Sequence, residues 1–136
     1  MTGLKQFIGL DVGTKRTGLA RASAAARLAE PLATVPTKQV LAKLQDFVAN
    51  QSTEAIVIGR PRNMSGQETA QTRWVKTWVA ELKKQLLVPL FWQDETLSSQ
   101  IVEARGHGSK ADSHAEAAAV ILQDFLDANS NERIKI

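Results

Sequence analysis

The run AIVIG at residues 55–59 puts five residues without a polar side chain in a row. A strand sends alternate side chains to opposite faces, so unbroken apolar character is wanted only where both faces are covered, as in a central parallel strand of an α/β sheet. The flanking segments fit that placement. Before the run, Val40, Leu41, Leu44, Phe47 and Val48 recur at the spacing of one buried helical face, with Thr37 as the expected cap and an end near Asn50. After it, residues 68–85 read as a long amphipathic helix, and VPLFWQ at 88–93 reads as a second short strand whose proline is tolerable near its start.

The chain opens differently. KQFIGLDV at 5–12 and TGLARAS at 17–23 predict two strands of a hairpin, and EPLATV at 30–35 predicts a third strand that its proline pushes to an edge. LSSQIVEAR predicts a short helix, GHGSK breaks it, and a last helix is expected over 113–128. The result is an α/β fold with a five-stranded mixed sheet, in which three antiparallel strands are extended by two parallel ones and helices cover both faces. This order resembles the ribonuclease H fold. A single domain over residues 1–128 is expected, and the polar tail at 129–136 is expected to fray.

Ligands of open α/β sheets bind beyond the carboxyl ends of parallel strands. Asp11 and Glu95 lie at or just past two predicted strand ends. Between the hairpin strands, GTKRTG brackets two cations with glycines. A phosphate loop of the GxxxxGK type is excluded, because GTKRTGLA has leucine and alanine where lysine and a hydroxyl must stand. The Asp-x-Gly-Thr start also occurs in ribonuclease H-like nucleases and actin-like phosphotransferases. The latter clasp ATP between two domains, and this chain has room for one. Taken alone, the stretch is equally a hairpin turn with incidental cations.

Two further stretches narrow the reading. VIGRPRNMSG at 57–66 and WQDETLSSQIVEA at 92–104 follow LDVGTKRTGLA in order. Together the three resemble the YqgF/RuvX family of Holliday-junction-resolvase-like proteins, regarded as pre-16S rRNA nucleases, over residues 7–127. The resemblance implies that Asp11 and Glu95 take the first two acidic site positions and hold a divalent metal, Mg2+ or Mn2+, with a further ligand from the last helix. Its implied substrate is structured RNA, pre-16S rRNA above all. Branched DNA is the alternative, as is a nucleic-acid-binding module whose catalytic centre has weakened.

At the third position the chain departs from the family pattern, which starts the last helix with an aspartate. Counting back from ILQDFL puts His114 there, not Asp112. At about 100° per residue, Phe125, Leu122, Ile121, Ala118 and His114 fall on one face, while Asp112 points roughly 140° away. Ser113 and Glu116 have capping-box spacing, which places Asp112 just outside the helix. His114 is therefore expected at the site, with Asp112 as the backup ligand. Imidazole suits transition ions better than magnesium.

Seventeen Lys and Arg against fourteen Asp and Glu give a net charge of +3, which suits a polyanionic partner. Lys15, Arg16, Arg60 and Arg62 are the candidate phosphate contacts, and Asn63 either bonds a phosphate or closes its turn. Trp74 and Trp78 stand one helical turn apart, an arrangement that favours packing over base stacking. His107 reads as a loop residue. The absence of cysteine excludes disulfides, thiol chemistry and cysteine zinc sites and fits the cytoplasm. Neither a signal peptide nor a membrane span is expected. A monomer and a homodimer are both compatible with the sequence.

Overall fold

The computed structural model describes residues 5–50, 52–60, 69–94, 110–128 and 133–136. Strands β1 (Gln6–Val12), β2 (Arg16–Ser23) and β3 (Glu30–Pro36) lead into a 3-10 turn at Thr37–Gln39 and helix α1 (Val40–Asn50). Then come β4 (Thr53–Arg60), α2 (Ala70–Gln85), β5 (Leu90–Asp94), α3 (Lys110–Asp127) and β6 (Ile134–Lys135). The sheet order is β3-β2-β1-β4-β5-β6, antiparallel from β3 to β1, parallel from β1 through β4 to β5, and antiparallel again at β6. As AIVIG requires, β4 is an interior strand with Ala55 to Ile58 buried. Pro31 and Pro36 sit in β3 at one edge.

Register divides the side chains into two cores. Phe7, Gly9 and Asp11 share a face with Ala22, Ala20 and Gly18 across the hairpin, and α3 covers that face with Ala118, Ile121, Leu122 and Phe125. Ile8, Leu10, Ile56 and Ile58 point the other way, against Val40 and Leu44 of α1 and Val75, Val79 and Leu82 of α2. Each large aliphatic or aromatic side chain so buried contributes about 2 kcal/mol. Trp74 and Trp78 stack at 6.2 Å between centroids, 17° apart, and pack on this second core.

Three local expectations are corrected. The tail does not simply fray: Ile134 and Lys135 pair with Trp92 and Phe91, the Ile136 N–H donates to the Leu90 carbonyl at 2.9 Å, and Arg133 lies over the Phe125 ring. The open edge of β5 supplies backbone partners, so a sixth strand joins the five expected. Thr37 is not the cap of α1, because its hydroxyl is committed to Gly13 and Thr17 instead. Finally, α3 begins at Lys110 rather than Ser113, which makes Asp112 a helical residue rather than one outside the helix. The expected helix LSSQIVEAR and His107 lie outside the described residues.

Candidate active site

Asp11 is the penultimate residue of β1, and strand parity with Phe7 and Gly9 puts it on the α3 face. Its register partner across the hairpin is Gly18. A side chain there is impossible: a Cβ on Gly18 would fall 1.9 Å from the His114 carbonyl oxygen and 2.7 Å from the Ala115 nitrogen. The backbone of α3 therefore rests directly on β2 beside Asp11. Gly9, two residues earlier, gives the same close approach, with Ala118 O and Leu122 Cβ within 2.9 Å of where its Cβ would be. Two glycines on one sheet face set the depth of the helix.

This seating brings the two ends of the chain together. His114 Nδ1 stands 3.4 Å from Asp11 Oδ2, with the imidazole 37% exposed and the carboxylate 17%. The hydrogen bond to Asp11 holds the imidazole pKa above its ordinary 6.5, reinforced by the carboxylate charge and opposed by partial burial and by Arg16. Neighbouring ligands of an octahedral ion with bonds of about 2.1 Å lie about 3 Å apart, so this oxygen and this nitrogen are spaced to share one ion. Among the described residues, no group of three His, Asp or Glu forms a complete metal site. Glu95 and the Asp112 side chain lie outside the described residues.

Beside the pair opens a cleft of about 560 Å3 lined by Gly13, Thr14, Lys15, Arg16, Gln71 and His114. Lys15 and Arg16 are exposed and form no ion pair among the described residues, unlike Lys5 with Glu54, Arg21 with Glu30 and Lys84 with Glu81. Arg60 differs. Register places it on the α1 and α2 face, where its guanidinium contacts Asp94 Oδ1 at 2.6 Å from Nε and 2.5 Å from Nη2. It is thus joined to the strand end that precedes Glu95, not grouped with Lys15 and Arg16. Arg62 and Asn63 lie outside the described residues. Sequence reasoning missed Gln71, which nothing in the pattern of α2 singles out. It also misread Thr37, whose position after Pro36 matches a cap as well as it matches a tie to a distant turn.

The family model RuvX, described as Holliday junction resolvase, matches residues 5–128. The chain belongs to this family. A relative from Lawsonia intracellularis, named "Putative pre-16S rRNA nuclease", is 31% identical over 96% of this chain and 99% of its own length. One of the same name from Chloroflexus aggregans is 35% identical over 92% of this chain and 95% of its own. Among solved structures, T. thermophilus RuvC in complex with a Holliday junction substrate superposes with a TM-score of 0.62 at 16% identity, covering 97% of this chain and 99% of that one. That likeness establishes the shared fold.

Proposed function

We propose that this RuvX-family chain is a divalent-metal-dependent nuclease of structured nucleic acid, and that it acts in the cytoplasm on the 5' end of pre-16S rRNA. The observation that carries the reading is the Asp11–His114 pair at the mouth of a cleft walled by the exposed cations Lys15 and Arg16, which form no ion pair among the described residues. The names of its relatives support the substrate. A bound ion would activate water and stabilise charge at the phosphate. Asp11 and His114, with Glu95, would hold it, and Asp112 is the substitute for His114. Lys15 and Arg16 neutralise backbone phosphates and so orient the strand over Asp11. When His114 does not bind metal, Asp11 holds the proton on Nδ1 and leaves Nε2 facing away from the carboxylate to exchange one. With an imidazole in the donor set, Mn2+ is favoured over Mg2+.

The second reading, a binding module with a weakened centre, is favoured by His114 standing where the family pattern has a carboxylate. A third, cleavage of branched DNA by a dimer, is supported by the family description as Holliday junction resolvase and by the fold shared with RuvC. Incubating labelled pre-16S RNA and a four-way DNA junction with the protein, in Mn2+ and in Mg2+, tests all three. Cleavage of the RNA in Mn2+ that Asp11→Asn abolishes is the expected result. Tight binding without cleavage in either metal supports the module, and preferential junction cleavage supports the DNA nuclease.

A further inference from the structure

Thr37 lies twenty residues beyond Thr17 and twenty-four beyond Gly13, yet it holds both ends of the hairpin turn that carries the cleft's cations. Its hydroxyl donates to the Gly13 carbonyl at 2.6 Å. Its backbone N–H donates to the Lys15 carbonyl at 2.9 Å. Since the Thr37 hydroxyl proton is committed to Gly13, the contact at 2.8 Å with Thr17 Oγ1 has Thr17 as donor. Thr17 is wholly buried and Thr37 is 5% exposed, so the bond between their hydroxyls is shielded from competing water and the bond to the Gly13 carbonyl partly so. Across the turn itself, one backbone bond joins the Gly13 N–H to the Arg16 carbonyl at 3.0 Å. An exposed two-residue turn bearing Thr14 and Lys15 has little packing of its own, so its geometry depends on outside ties.

We infer that Thr37 is a positioning residue, which fixes the Gly13–Arg16 turn so that Lys15 and Arg16 meet the nucleic-acid strand in register with Asp11. The inference rests on the proposed nucleic-acid reading of the cleft. Pre-fixing the turn spares the ordering cost that a mobile turn would incur on binding, so affinity falls when the tie is cut even though Thr37 touches no substrate. Thr17 serves a different end. Without its hydroxyl, Thr37 still reaches Gly13, and the turn stays tied.

The test combines amide hydrogen exchange of the free protein with RNA binding for Thr37→Val, Thr37→Ser and Thr17→Val. In the wild type, the Thr37 and Gly13 amides should exchange as slowly as those of the β1–β2 ladder, a measurement that needs no variant to fold. Exchange at the coil rate would overturn the inference. Thr37→Val should speed exchange at both amides and weaken RNA binding by roughly threefold to tenfold, with Lys15→Ala adding little further loss. Thr37→Ser should restore both properties, while Thr17→Val should lower the melting temperature yet leave affinity within about twofold of wild type. Unchanged exchange in Thr37→Val refutes the tie itself. Faster exchange with wild-type affinity refutes the positioning role. If Lys15→Ala and Arg16→Ala in the wild-type background also leave affinity intact, it is the nucleic-acid reading of the cleft that has failed.

Discussion

An imidazole 3.4 Å from a carboxylate prefers to be charged, and His114 accordingly titrates above its ordinary 6.5. The folded value exceeds the unfolded one, so the stabilisation from the protonated pair is full below about pH 6.5 and is lost as pH rises through the folded value. With the ring more than a third exposed, its size is modest. In the metal-free protein, an NMR titration of the His114 ring should give a midpoint above 6.5, and Asp11→Asn should lower it. A midpoint at or below 6.5 in the wild type would mean that the two groups do not meet in solution. The same proton competes with metal at this nitrogen, so Mn2+ affinity should fall as pH drops through that midpoint. His114→Asp replaces nitrogen with oxygen and should shift metal preference toward Mg2+, measured as the ratio of cleavage rates in the two ions. A ratio that stays put would favour Asp112 as the ligand.

At the scale of elements, α3 reaches the site because β1 and β2 present Gly9 and Gly18 where a side chain would hold it off. Gly18→Ala forces the helix backbone outward and should destabilise the fold by about 3 kcal/mol, read from urea denaturation. It should also separate His114 from Asp11, so that the His114 titration moves back toward 6.5. The far end of α3 is fastened differently. The Arg27 guanidinium donates to the Leu126 carbonyl at 2.8 Å, the Ala29 N–H donates to Gln123 Oε1, and Gln123 Nε2 donates back to the Arg27 carbonyl. Cation and carbonyl meet at the negative end of the helix dipole. Arg27→Ala should therefore cost about 1 kcal/mol while leaving Mn2+ binding unchanged, since this contact lies at the end of α3 remote from His114.

For the molecule as a whole, the sheet separates two kinds of basic residue. Lys15 and Arg16 open on the cleft beside Asp11, whereas Arg60 leaves the other face and is held by Asp94. Each phosphate contact removed should reduce the slope of log affinity against log salt by roughly 0.7 to 0.9. Lys15→Ala and Arg16→Ala are expected to show that reduction on RNA, and Arg60→Ala a smaller one. Equal reductions for all three would mean that the strand crosses the strand ends to reach Arg60. Among the described residues, no helix is long and apolar enough to cross a membrane.

Local sequence sufficed for the mixed sheet through the order of its elements, for the interior place of β4 through its unbroken apolar run, for the edge at β3 through its proline, and for the helical face that carries His114 through the apolar period. Such features depend on which neighbours a side chain has along its own segment, and sequence records those directly. Placing Asp11 at a strand end was legible for the same reason. Contacts between segments far apart in the chain were decided by tertiary structure alone. The Thr37 hydroxyl could cap its own helix or reach Gly13, and only the approach of the hairpin selects the second. The tail at 133–136 became a strand because β5 offered an unpaired edge; its Ile-Lys-Ile alternation is too short to announce a strand without that partner. Arg60 was read with the cleft's cations from its place at a strand end, yet strand parity against β1 and the carboxylate of Asp94 assign it elsewhere. His114 combines both levels: the helical count named its face, and the glycine beneath its carbonyl determined how near that face comes to Asp11.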